Sequence, residues 1–373
     1  MTAPHALLIQ VLREPARLAA LSPADWDLLI RQARRSRLLA HLAWRVQEQG
    51  CEAPAAAAAH LRAARHVADS QHAAVLWENR FIAQALAGLN IPVLLLKGGA
   101  YAQAGLRAGR GRLLTDIDIL VPLARIEAVE SELIIHGWVG SEELTAHDQR
   151  YYREWMHEIP PMRHMRRSSV IDVHHNILPR TGRIRVDAQV LLDAALPLPD
   201  APGLYRLSDP DLLLHSACHL FLDGEFDKGL RDLVDIDALL REFGADRPDF
   251  WPTLAARARE LGLSRVLFYA LRQARRLLGS PVPESLLQAL EAEAAPSAPL
   301  LALMDALFLR ALQPDHASCD RPGSALARRL LYLRGHWLRM PWHLLLMHLS
   351  IKALAPKPKA QSAQRAQAVQ ARP

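Results

Sequence analysis

Between Leu94 and Val121 the chain reads LLLKGGAYAQAGLRAGRGRLLTDIDILV, and this stretch constrains the fold more than any other. It predicts an apolar strand, a tight Lys-Gly-Gly turn, a short helix and a second strand. The second strand carries Asp116 and Asp118, with Ile117 and Ile119 alternating against them. Side chains at i and i+2 of a strand share a face and lie roughly 6–7 Å apart. The isoleucines then bury one face of a sheet while two carboxylates crowd the other. Adjacent carboxylates repel, and a divalent cation relieves that cost, which is the arrangement that phosphoryl-transfer chemistry uses.

Gly98 and Gly99 follow one strand and open a helix, where absent side chains let backbone N–H groups approach a phosphate. A third acid, Asp172, stands alone in the apolar run Val170–His174 and completes a candidate carboxylate set. The chain has 373 residues, half of them hydrophobic and 23% charged, enough for two or three domains and a sizeable core. Its three cysteines, Cys51, Cys218 and Cys319, lack the spacing of a zinc or disulfide framework, so a reducing cytoplasmic setting is expected. The first residues lack the basic and long apolar segments of a secretion signal, and no apolar run is long enough to span a membrane.

The net charge of +6 is misleading as an average. From Arg321 onward there are ten Lys/Arg and no Asp/Glu, which leaves the first 320 residues with 35 basic and 39 acidic side chains. Basicity is thus a property of the C-terminal end, which argues against a nucleic-acid-binding body.

Residues 1–90 read as helices. Ser22-Pro23-Ala24-Asp25 supplies a helix start, and an alanine-rich helix runs from about Pro54 to Leu89. Residues 91–200 alternate strand and helix, with strands expected at Val93–Leu96, Asp116–Val121, near Trp155–Ile159 and at Val170–His174. Helices are expected at Ala100–Leu106 and Leu123–His136, and Pro197, Pro199, Pro202 and Gly203 read as a linker. Residues 201–354 read as a helical domain, and residues 355–373 as a disordered basic tail. The expected fold is therefore α+β, a small mixed sheet flanked by helical regions on both sides.

The motifs taken together resemble the nucleotidyltransferase fold shared with polymerase β, aminoglycoside nucleotidyltransferases and CCA-adding enzymes. Leu96-Lys97-Gly98-Gly99, Asp116-Ile117-Asp118 and Ile171-Asp172-Val173 match that pattern in order. More narrowly, LLLKGGA, Arg112 four residues before Asp116, DIDILV, IDVHHNI, DLLLHSACHL and LRDLVDIDALL are similar to a bacterial family of uncharacterised nucleotidyltransferases, over about residues 20–350. The resemblance implies that Asp116, Asp118 and Asp172 hold two Mg²⁺ ions and that Gly98 and Gly99 cradle the phosphates of an NTP. Lys97 and Arg112 are candidate phosphate partners, and each reads equally well as a structural ion-pair residue. It also implies transfer of an NMP group to a hydroxyl of an unidentified acceptor, in a family often associated with surface polysaccharide biosynthesis. Sixteen residues separate Gly99 from Asp116, a few more than in minimal members, and a glycine-bearing loop from Ala104 to Leu114 accounts for the excess.

Other features are weaker. His215 and His219 stand at i and i+4 with Cys218 beside them, a zinc-like spacing that lacks a third ligand beyond Asp223, and packing explains them better. His174 and His175 are placed to orient a carboxylate or touch substrate, Glu158 is a fourth acid near the set, and Arg231, Asp232 and Asp235 read as an interhelical ion-pair group. Residues 328–352 mix arginines, tryptophans and leucines. They suit either core packing with a basic outer face or contact with an anionic membrane surface. Two alternatives therefore accompany the enzyme reading: a non-catalytic binding module of the same fold, and a peripheral membrane or polysaccharide-assembly factor.

Overall fold

The computed structural model describes residues 6–140, 145–245 and 247–347. The expected tail and the last residues of the 328–352 segment lie outside this range. The chain begins with helices α1 (Leu7–Arg13), α2 (Pro23–Arg35), α3 (Leu39–Glu48) and α4 (Ala55–Leu86). Ser22 caps α2 through a reciprocal pair with Asp25, which satisfies end-group donors that would otherwise lack partners. Asn90, in the left-handed conformation, ends the α4 region, and no strand precedes Val93 among the described residues.

The centre follows as β1 (Val93–Leu95), α5 (Lys97–Gln103), β2 (Ile117–Leu120), α6 (Ile126–Ile135), β3 (Trp138–Gly140), α7 (Ala146–Arg150), β4 (Met162–His164), β5 (Val170–His174), α8 (Ala188–Asp193), β6 (Leu196–Pro197) and β7 (Leu204–Arg206). These strands form one mixed seven-stranded sheet in the order β3-β4-β5-β2-β1-β7-β6. β1 runs antiparallel to β2 and parallel to β7, and β2 runs parallel to β5. The chain closes with helices α9 (Asp209–Leu222), α10 (Gly229–Gly244), α11 (Phe250–Glu260), α12 (Ser264–Leu278), α13 (Glu284–Ala294), α14 (Ala298–Ala311) and α15 (Ser324–Arg339). One apolar core runs from Leu8 through the strands to Leu331, so the fold is α+β with helices on both sides of the sheet.

Two local expectations need correction. The strand near Trp155–Ile159 is a π-helical turn, Tyr151–Trp155, followed by a single bridge between Glu158 and His174. Regular pairing with β5 resumes only at Met162, because Pro160 and Pro161 have no N–H to continue a ladder. The linker built on Pro197, Pro199, Pro202 and Gly203 is instead the β6–β7 hairpin at the sheet edge. Pro197 is tolerated there because the outer side of an edge strand needs no ladder partner, and Gly203 turns the chain at φ +86°.

The loop from Ala104 to Leu114 is a packed element. A Cβ on Gly111 would meet the His41 backbone nitrogen at 2.5 Å and the Ala40 carbonyl group at 2.6 Å. The Arg107 N–H donates to Glu242 in α10 and the Leu114 N–H donates to Gln71 in α4. The loop thereby ties the N-terminal helices to the C-terminal ones directly behind β2.

At the far end, Pro341 separates α15 from a further helical stretch at 342–347, as expected from sequence. The outer face of α15 is mixed, with Arg329 exposed beside apolar side chains. Arg334 and Arg339 turn inward to donate to the carbonyls of Phe221 and Asp223. Leu326, Leu330, Leu333 and Trp337, one stripe at helical spacing, are 40–59% exposed.

Candidate active site

The parallel pairing of β2 with β5 places Asp118 directly beside Asp172 and Leu120 beside His174. Period-two alternation sends Ile117, Ile119, Ile171 and Val173 to the opposite, buried face. Asp116 precedes β2 by one residue, is exposed, and accepts a hydrogen bond from the Thr115 hydroxyl at 3.1 Å. The three predicted carboxylates are thus assembled by one pair of strands and an exposed neighbour.

Their electrostatic states differ. Asp118 is almost fully buried. Lys97 Nζ stands 3.0 Å from its Oδ1, and His174 Nε2 stands 3.1 Å from the same atom. Burial disfavours its charge, but these two partners prevail and hold Asp118 well below the usual carboxylate range. Asp172 has only the charge of His174 to favour its ionised form, and that is outweighed. Burial, reinforced by the nearby charges of Asp118 and Glu158, pushes it up to about 7, with Asp116 adding to the effect. Among the described residues its Oδ1 is buried without a hydrogen-bond partner. An orphaned carboxylate oxygen within a group of acids suits a divalent cation, although the ligand atoms of Asp116, Asp118 and Asp172 are not gathered within 4.8 Å of one another.

Gly98 and Gly99 lie in the first turn of α5, both buried. Their reasons for being glycine differ. A Cβ on Gly98 would collide with Leu114 Cδ2 at 2.4 Å, whereas one on Gly99 would make an ordinary contact with Ile117 at 3.8 Å. Packing accounts for the first and leaves the second unexplained. Lys97 adopts φ +43°, a conformation that costs a non-glycine residue about 1–3 kcal/mol. That cost is borne where the side chain is anchored to Asp118.

Arg112 lies behind the Gly-Gly turn. Its Nε is 3.2 Å from Asp235 of α10, both side chains are buried, and its guanidinium lies over the Tyr101 ring. It therefore stands as an ion-pair residue fixing the 104–114 loop, apart from the carboxylates. Arg231 contacts Asp232 beside it, and His219 of α9 also reaches Asp232 at 3.5 Å.

A cavity of about 350 Å³ opens between the sheet and α9, the α9–α10 turn and the end of α15. Lys97 and His174 line it while contacting Asp118, so these two side chains stand between the cavity and that carboxylate. His157, Glu158, His215 and His219 also face it. Cys218 is buried in the apolar core and is not part of the wall, so the structure joins His215 and His219 to the cavity without the thiol. Burial keeps His157 and His215 well below the ordinary histidine range. His157 was missed from sequence; the available signal was its position next to Glu158, just before the double proline.

A family model described as "Uncharacterised nucleotidyltransferase" matches residues 22–279, more than half of the chain. The match contains the Gly-Gly turn, all the carboxylates and the cavity histidines. No curated protein matches the chain.

Proposed function

The chain belongs to the uncharacterised nucleotidyltransferase family, and from that premise we propose that it is a Mg²⁺-dependent enzyme that moves an NMP group from an NTP to an acceptor hydroxyl. The observation that carries this reading is the Asp118–Asp172 register, with Asp172 left unneutralised beside three other acids. Asp116, Asp118 and Asp172 would hold Mg²⁺, which when bound offsets the charge of the triphosphate and of the reacting oxygens. The backbone at Gly98 and Gly99 receives the outer phosphates at the opening turn of α5. Lys97 supplies a buried positive charge at the cavity wall, next to Asp118.

Asp172 takes the proton of the acceptor hydroxyl. The deprotonated acceptor oxygen then attacks the α-phosphorus, the bond to the β-phosphate oxygen breaks, and pyrophosphate leaves. The 350 Å³ cavity receives the acceptor, and the family resemblance connects that acceptor with surface polysaccharide biosynthesis.

The test is thermal stabilisation by each NTP with and without Mg²⁺, in the wild type and in Asp118→Asn. A ligand at 100 times its dissociation constant adds about 2.7 kcal/mol. A Mg²⁺-dependent shift for one NTP that is lost in the variant supports the site. No shift with any nucleotide overturns it and favours a module that binds something other than a nucleotide.

A second reading is favoured by the apolar stripe of α15: attachment to a membrane surface through that helix and the basic chain that follows it. No helix among the described residues is long and apolar enough to cross a membrane. Co-sedimentation with anionic vesicles that is lost in Trp337→Glu supports this reading. Failure to sediment at low salt refutes it.

A further inference from the structure

We propose that His157, Glu158 and His174 form a second metal site, built for an imidazole-binding divalent ion of the zinc type and distinct from the carboxylate site for Mg²⁺. One ligand atom from each residue lies within 4.8 Å of the others, and no other such group of three occurs among the described residues. The two histidine rings stack with centroids 5.2 Å apart. His157 Nδ1 and His174 Nδ1 are both buried without a hydrogen-bond partner. Glu158 Oε2 stands 3.3 Å from His174 Nδ1, without the alignment of a hydrogen bond. Leaving a buried polar nitrogen unpaired costs about 1–3 kcal/mol, and an ion at this cluster would relieve it.

The backbone holds the ligands in place. The His175 N–H donates to the His157 carbonyl at 2.8 Å, and the Ile159 N–H donates to the Val173 carbonyl at 3.0 Å. Glu158 is therefore fixed opposite His174. On the other side of the His174 ring, Nε2 is 3.1 Å from Asp118. With Nδ1 on a metal, Nε2 keeps the proton and donates to that carboxylate, the arrangement that orients metal-binding histidines.

Two imidazoles and one carboxylate select zinc-type ions over Mg²⁺, which prefers oxygen ligands and water. Three protein ligands leave a coordination position open, and here it faces the cavity, where an oxygen of a phosphate or hydroxyl substrate can enter. The metal site does not depend on nucleotidyl transfer and shares Asp118 and the cavity with that reading.

The test uses the full chain, stripped by chelator and titrated with Co²⁺ and then Zn²⁺ in excess Mg²⁺. Co²⁺ reports its ligands through its visible absorption. The expected result is one Co²⁺ per chain, displaced by Zn²⁺, with affinity at least about tenfold weaker in His157→Ala and in Glu158→Gln. Asp116→Asn and Asp172→Asn should stay close to the wild type. Circular dichroism confirms that each variant is folded, and nitrogen hyperfine coupling to Cu²⁺ bound in the wild type tests imidazole ligation without any substitution. The proposal fails if neither ion binds, if His157→Ala binds as the wild type does, or if binding is lost only in Asp116→Asn, which would place the ion on the carboxylates.

Discussion

Replacing Asp172 by asparagine should stabilise the metal-free protein at neutral and alkaline pH, and the gain should shrink as the pH falls towards 5. Asp172 is raised from 3.8 to about 7 in the folded chain. A raised carboxyl contributes stability fully below its unfolded value and loses that contribution as pH climbs through the folded value. The part of the shift lying between pH 5 and 7 is about two units, worth about 2.7 kcal/mol. Asp118 does not confuse this window, because its folded value lies well below the ordinary one and its contribution changes only in stronger acid. Asparagine is neutral throughout, so the variant's stability relative to wild type should rise by about 2–3 kcal/mol from pH 5 to pH 8. Urea unfolding of both proteins in chelator, at several pH values across that range, measures this difference directly. Mg²⁺ at pH 8 should stabilise the wild type and leave the variant nearly unchanged. A difference that does not vary with pH would refute the reasoning, because Asp172 would then not be carrying an uncompensated charge.

Asp116→Asn changes an exposed residue and should alter stability by no more than about 0.5 kcal/mol while removing most nucleotidyl-transfer activity, as judged by unfolding and pyrophosphate release. Gly98→Ala should destabilise by about 1–3 kcal/mol through its collision with Leu114, whereas Gly99→Ala should fold normally and lose NTP affinity in calorimetric titration. Arg112→Ala leaves Asp235 buried without its cation and should cost about 3–5 kcal/mol in thermal unfolding, with Mg²⁺ binding unaffected.

The parts of the fold legible in the sequence are those with strong local patterns. Val170–His174 is a strand at the residues expected, because alternating apolar positions around one acid leave no competing helical period. The α4 helix and the Ser22 cap follow from alanine content and capping chemistry. β3, β4, β6 and β7 contain only two or three residues each, too few to show a period-two pattern. β7 pairs with β1 across more than a hundred residues, a relation that no local window contains. At the site, the order of Lys97, Gly98, Gly99, Asp116, Asp118 and Asp172 is visible in the chain. The pairing of Lys97 with Asp118 and of Arg112 with Asp235 is not, since each depends on which element packs opposite. His157 was hidden for the same reason: only the bridge to β5 brings it beside His174.

The central claim is tested most directly by following an NTP labelled at the α-phosphorus, with Mg²⁺ and an extract of cells that carry this chain as the acceptor source. The account predicts Mg²⁺-dependent movement of the α-label onto an acceptor with release of one pyrophosphate per transfer, absent with Asp116→Asn. Transfer of the γ-phosphate alone, or label movement that persists in Asp116→Asn, would contradict it.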